Sequence, residues 1–265
     1  MRNMFFNSAN LISIEFELGR NANDVNMTRM FYNCNNISIV KFKETYYYSY
    51  YYYPSDLHAM FYNCTSLTSV YFHHFKSDKV EDMSYMFYNC IILEYFISTE
   101  YFNNYLTTNL KGMFENCEKL TSFSLSSFDT SNVEIMWSMF KGCTGLTYIN
   151  LDNFDTSKVT DMESMFEGCS NLTSLNLKFN TTKVQYMNKM FKDCISLENL
   201  YFKNINTSSI GTMHQMFYNC RSLKYVNLYN LEERGQSVID IFEKASNESL
   251  LLMKFKFLSK FILSF

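Results

Sequence analysis

Of the two residues that most often break regular structure, the 265-residue chain holds one proline and seven glycines, and tryptophan occurs once. Set against 21 Tyr and 26 Phe, that scarcity excludes a disordered low-complexity chain and a loop-rich disulfide scaffold. An excess of charge of one sign is also lacking: the formal net charge is −3 with 18% charged residues, so nothing points to nucleic acid as a partner. The N-terminal MRNMFFNSANLISIEF carries no apolar run of signal-peptide length. The C-terminal SLLLMKFKFLSKFILSF is apolar but interrupted by Lys254, Lys256 and Lys260, short of the roughly 20 apolar residues of a membrane span. No transmembrane segment is therefore expected. Absent too are a C-x-x-C pair, a nucleophile motif, a phosphate loop and HExxH, so the expectation is a non-enzyme without metal or cofactor.

What the chain does have is a period. Its eight cysteines, at 34, 64, 90, 117, 143, 169, 194 and 220, are separated by 30, 26, 27, 26, 26, 25 and 26 residues. Ser8, in MFFNSANL, continues the series backwards, and a degenerate copy follows near Ala245. This is a repeat protein. The solenoid is expected over residues 1–231 as nine copies, the first truncated, with residues 232–265 a degenerate repeat and cap. Met1 stands where Met27 and Met83 stand in later copies, so the chain is expected to start in mid-repeat, as a fragment or from a misplaced start.

Within the copy FDTSKVTDMESMFEGCSNLTSLNL the apolar residues Val159, Met162, Met165 and Phe166 follow an i, i+3, i+6, i+7 spacing, which predicts one face of a helix. Asp78, Ser131, Ser157, Thr182 and Ser208 are read as its N-caps, with Glu81, Glu134 and Gln185 completing capping boxes. The residue before each Cys, and before Ser8, is Asn, Asp or Gly, as a left-handed stop requires. After the Cys, Leu146, Ile149 and Leu151 follow L-x-x-L-x-L, which predicts a short strand. The fold expected is an α/β leucine-rich-repeat solenoid with one parallel strand and one helix per repeat of about 26 residues. Helices spaced about 8 to 10 Å apart would hold neighbouring cysteines beyond disulfide reach, which needs Cα atoms within about 7 Å. The eight thiols are therefore read as small buried hydrophobes.

FDTSNVEIMWSMFKGCTGLTYINLDNFDTSKVTDMESMFEGCSNLTSLNL resembles the BspA-like leucine-rich-repeat surface proteins, whose repeat carries FDTS, V-x-x-M, MF-x-G-C and a leucine strand. The match extends over most of the chain, although a lipoprotein signal and a cell-wall anchor are missing from it. The resemblance implies a cell-surface or secreted protein that attaches to host or matrix proteins. Residues between and after the core pair of each strand are expected to line a concave binding face: Tyr71 and His73, Asn150 and Asp152, Lys178, Tyr201 and Lys203, Asn227 and Tyr229. Trp137, on the outward side of its predicted helix, and Tyr47 and Tyr51, in YYYSYYYYP, are further contact candidates. The partner expected is a protein from host, matrix or a second copy, with a glycan also open. A cytoplasmic interaction scaffold is the other reading, favoured by the missing signal and the free thiols.

Overall fold

The computed structural model describes residues 1–16, 24–42, 53–72, 75–98, 104–121, 125–203, 205–206, 208–226 and 238–245. They form a parallel β-solenoid. In the strand that follows the Cys, alternate residues point inward: Val40 and Phe42, Val70 and Phe72, Leu175 and Leu177, Leu200 and Phe202 are all buried. These strands pair in parallel and in register. β1 (Ser13–Phe16), β3 (Ile39–Phe42), β5 (Ser69–Phe72) and β6 (Tyr95–Ser98) make one sheet. β7 (Ser174–Leu177), β8 (Asn199–Phe202) and β9 (Tyr225–Val226) make another. A second, narrower ladder runs eight residues before the Cys. It begins with β2 (Val25–Asn26) on β4 (Pro54–Asp56) and continues as single parallel bridges through Asp82, Asn109, Ile135, Asp161, Tyr186 and Thr212.

The helix expected in each repeat is absent. Among the described residues the one helix is α1 (Val238–Ile241), at the degenerate copy. The Val159–Phe166 stretch is instead a chain of tight turns. Within the coil, Met165 N–H donates to Met162 C=O, Glu167 to Ser164, Cys169 to Phe166 and Leu172 to Cys169, at 3.1 to 3.3 Å. The intervening N–H groups of Ser164, Phe166 and Gly168 donate to the carbonyls of Asn188, Met190 and Lys192 in the next coil, at 2.8 to 2.9 Å. Every N–H from Ser164 to Cys169 thus has a partner, as a buried backbone demands, and half of the partners belong to the neighbouring coil.

Such a turn chain needs left-handed backbone at two places per coil. The residue before the Cys supplies one, with φ of 58° to 75° at Asn33, Asn63, Asn89, Asn116, Gly142, Gly168, Asp193 and Asn219, so the left-handed reading of that position holds. The residue five before the Cys supplies the other: Arg29, Ala59, Tyr85, Ser138, Ser164, Lys189 and Gln215 all have φ between 51° and 56°. Each costs roughly 1 to 2 kcal/mol in a non-glycine residue, which the paired turn and inter-coil hydrogen bonds offset.

The expected caps have different work. Ser131, Ser157, Thr182 and Ser208 donate their backbone N–H to the side-chain oxygens of Asp129, Asp155, Asn180 and Asn206, closing Asx turns. The Thr of FDTS is buried. Thr156 Oγ donates to the carbonyl of Asn180 and accepts its N–H, and Thr181 does the same with Asn206.

In-register stacking places like on like. Phe31, Phe61, Phe87, Phe114, Phe140, Phe166, Phe191 and Phe217 form one column of near-parallel rings, extended by Phe5 and Phe242, with centroids 5.0 to 5.9 Å apart. Asn33, Asn63 and Asn89 each donate Nδ2 to the Asn one coil earlier. This spacing overturns the distance argument for the cysteines, since coils stacked like strands stand about 5 Å apart, inside disulfide range. The thiols are nevertheless free and buried. Each Sγ–H is directed at the carbonyl of the Phe one coil back, from Cys34 on Phe5 to Cys220 on Phe191, at 2.9 to 3.2 Å. Burial pushes the thiols up: Cys143 and Cys220 reach about 12, and Cys64, Cys117, Cys169 and Cys194 lie well above the ordinary range. Among the described residues no helix is long and apolar enough to cross a membrane.

Candidate partner-binding faces

The strands carry their outward residues at fixed register. Glu15, Lys41 and Tyr71 are consecutive partners across β1, β3 and β5. Lys41 Nζ lies 3.3 Å from Glu15 Oε1 and 5.9 Å from the Tyr71 ring centre. Farther along, Asn150 Oδ1 accepts the N–H of Asp152, whose carboxylate lies 3.0 Å from Lys178 Nζ. Tyr201, exposed on β8, pairs in register with Asn176 and stands 4.9 Å from Tyr225. Lys203 is exposed just past β8, its N–H held by the Leu177 carbonyl. The structure thus brings Asp152 and Lys178 into contact and puts Tyr71, Asn150, Tyr201 and Lys203 on or beside strand positions. His73, Asn227, Tyr229, Tyr47 and Tyr51 lie outside the described residues.

Trp137 is elsewhere, on the turn face. There the position two before the Cys forms a column of stacked rings. Phe6, Tyr32, Tyr62 and Tyr88 succeed one another at 5.0, 4.6 and 4.4 Å. The column then turns charged, as Glu115, Lys141, Glu167 and Lys192. Lys141 and Lys192 each lie 3.3 Å from Glu167. Burial alone would raise Glu167, but a hydrogen bond from Ser164 and the two lysines hold it below the usual carboxylate range. Among the described residues no cation lies within 4 Å of Glu115, and burial raises its carboxyl despite the more distant Lys141 and Lys111.

Between this column and the residues five and six before the Cys runs a groove of about 440 Å³. Tyr85 meets Tyr62 and Tyr88 edge-on, with ring centres 6.4 and 5.8 Å apart, Trp137 and Glu115 also line the groove, and Ala59 and Ser138, both at left-handed positions, are its small residues. Lys111 Nζ sits 3.7 Å from the centre of the Trp137 ring and 5.4 Å from that of Tyr85. His58 Nδ1 is 2.8 Å from Ser84 Oγ. Burial, with Tyr88 and Tyr32 beside it, pushes the Tyr62 hydroxyl up to about 12. Of these residues the sequence singled out only Trp137. The recurrence of Tyr two before the Cys at 32, 62 and 88 was the signal for the rest.

Residues 55–148 and 145–255 match the model of the family described as Mycoplasma protein of unknown function, DUF285. The chain belongs to that family. Among curated proteins none matches the chain. Solved structures that it resembles include leucine-rich-repeat proteins. One from Eubacterium ventriosum is 17% identical, with a TM-score of 0.44, over 88% of this chain and 64% of that one. The Treponema pallidum protein titled TpLRR is 14% identical, with a TM-score of 0.40, over 80% and 78%. The TLR13 of a TLR13–ssRNA13 complex is 16% identical, with a TM-score of 0.36, over 84% of this chain. This chain spans only 33% of that one.

Proposed function

We propose that this member of the DUF285 family is a non-enzymatic recognition protein that binds another protein through its strand face. The observation that supports this is the fixed register of outward side chains on a stack whose core residues are buried: Glu15, Lys41 and Tyr71 in one sheet, Asn176 and Tyr201 in the other, with Asp152 and Lys178 paired beside them. Extended solenoid surfaces of this kind suit large, flat contacts, and a polar lining with tyrosines suits wet interfaces of modest affinity. The residues assigned to the contact are Tyr71, Asn150, Asp152, Lys178, Tyr201 and Lys203. His73, Asn227 and Tyr229 share their repeat positions, and Tyr47 and Tyr51 stay with the proposal on sequence grounds. The BspA-like repeat signature makes the finer reading adhesion to a host or matrix protein from the cell surface. Eight buried free thiols favour a second reading, an intracellular scaffold using the same face.

Protease shaving of intact source cells separates the two. Digestion of this chain while a cytosolic control protein survives is the outcome expected for adhesion; survival of both, with digestion only after lysis, leaves the scaffold. Binding of the purified chain to immobilised matrix proteins, and its loss in a Tyr71→Ala, Lys178→Glu, Tyr201→Ala variant, tests the face itself. Unchanged binding by that variant would remove the strand face from the contact.

A further inference from the structure

The groove on the turn face has no part in the strand-face reading, and its lining restricts what can enter. An organic cation would be repelled by Lys111 Nζ, which sits over the Trp137 and Tyr85 rings, and by Arg29 and Lys141 on the lining. An anion would be set against the Glu115 carboxylate, which among the described residues has no cation within 4 Å, and Lys141 is already paired with Glu167. A purely apolar ligand would strip water from Glu115, His58, Ser138 and the tyrosine hydroxyls without replacing their hydrogen bonds, which is costly. What remains is a neutral ligand that presents both C–H surface and many hydroxyls.

We propose that this groove is a binding site for a neutral oligosaccharide lying along the solenoid axis. Sugar C–H surface lies against Tyr85 and Trp137 and the edges of the stacked Tyr62 and Tyr88 rings, while the hydroxyls donate to Glu115 and exchange hydrogen bonds with Ser138 and the Tyr62 hydroxyl. Aromatic side chains with a polar end suit such an amphipathic partner. The volume, about 440 Å³, falls in the range of small-molecule sites, roughly 300 to 1,000 Å³. Tyr32, Tyr62 and Tyr88 recur at 4.6 and 4.4 Å along the axis, close to the length of one sugar ring, so a linear chain keeps step with the coils.

Trp137 is the chain's only tryptophan and lines the groove, so its fluorescence reports occupancy directly. The full chain is titrated with maltotetraose, cellotetraose, chitotetraose and lacto-N-tetraose, with calorimetry in parallel. At least one is expected to saturate at or below about 1 mM, the weak end of specific binding. Tyr85→Ala is expected to weaken it at least about tenfold and Glu115→Gln several-fold, while Lys178→Glu on the strand face leaves it unchanged. The proposal is overturned if none of the four binds by either readout. It is equally overturned if choline, a heparin disaccharide or a peptide binds in the groove more tightly than the sugars. Should Tyr85→Ala fail to fold, Glu115→Gln, which preserves shape, decides alone: unchanged sugar affinity in it counts against the site.

Discussion

Cys169 donates its thiol hydrogen to the carbonyl of Phe140, one coil back, at 3.1 Å. That carbonyl already accepts the backbone N–H of Cys143, so two cysteines converge on one oxygen. The arrangement recurs along the core and requires every thiol to remain protonated. Seven thiols, from Cys64 to Cys220, have pKa values raised by near-complete burial. An unfolded chain ionises them near their ordinary value of about 8.5. Above that pH the folded state therefore holds more protons than the unfolded one, and stability falls as pH rises. Below it both states are protonated and the thiols add no pH dependence. Each thiol contributes a slope of about 1.4 kcal/mol per pH unit, so the denaturation midpoint in urea should be level to about pH 8.5 and drop steeply by pH 10. Replacing Cys143 and Cys169 by Ala should make the drop shallower by two protons. A midpoint that stays level to pH 10 would show that these thiols ionise alike in both states.

The same carbonyl geometry explains which parts of the fold were legible. Repeat length, the inward and outward residues of the strands, the left-handed residue before the Cys and the buried Met, Phe, Cys and Leu positions could all be read from spacing. The helix could not, and the reason lies in Val159, Met162, Met165, Phe166, Cys169 and Leu172. Their separations of three, three, one, three and three are also those of overlapping turns closed between residues i and i+3, and the series runs on through the supposed stop at Gly168. At 3.6 residues per turn the same positions fall within about 140° of a helix surface, so apolar spacing alone does not separate the two structures. Nothing in Arg29, Ala59, Tyr85 or Ser138 announces a left-handed backbone, because neighbouring coils impose it. The groove was hidden for a related reason: with coils at strand spacing, Tyr62, Tyr88 and Glu115 become neighbours across 26 and 27 residues of sequence, which a helical spacing would have kept apart.

A spectroscopic consequence follows. Far-UV circular dichroism of the purified chain should lack the paired minima of an α-helical protein, and amide exchange should protect Ser164, Phe166 and Gly168, whose partners lie in the next coil. A spectrum indicating one helix per repeat would restore the architecture expected from the apolar spacing.

Two glycines separate crowding from backbone conformation. Gly145 does not have a left-handed φ, yet a Cβ there would stand 2.5 Å from the carbonyl oxygen of Glu118, which is backbone in the adjacent coil and cannot swing aside. Gly168, at φ +75°, would bring its Cβ no closer than 3.7 Å to Gly142. Gly168→Ala should thus cost only the left-handed penalty, about 1 to 2 kcal/mol, whereas Gly145→Ala must spread two coils and should cost about 2 to 3 kcal/mol. Thermal unfolding of both variants provides the check; a Gly145→Ala variant as stable as the parent would mean that the coils are not packed this closely.

Met165 tests whether the core behaves as a continuous column. It is fully buried in the middle of the stack, and its carbonyl accepts the N–H of Phe140 while its own N–H closes a turn on Met162. Truncation to Ala leaves those backbone bonds intact and removes only the side chain, so the cost is transfer plus cavity, about 2 to 5 kcal/mol. Because each coil contacts its neighbours alone, a solenoid's stability is close to a sum of coil and interface terms. The same truncation at Met1, 44% exposed in the first coil, should therefore be nearly silent. Urea denaturation of the two variants side by side is the measurement. A Met165→Ala midpoint equal to the parent's would take that side chain out of the core, and a large loss at Met1→Ala would mean that the first coil is buried against something further.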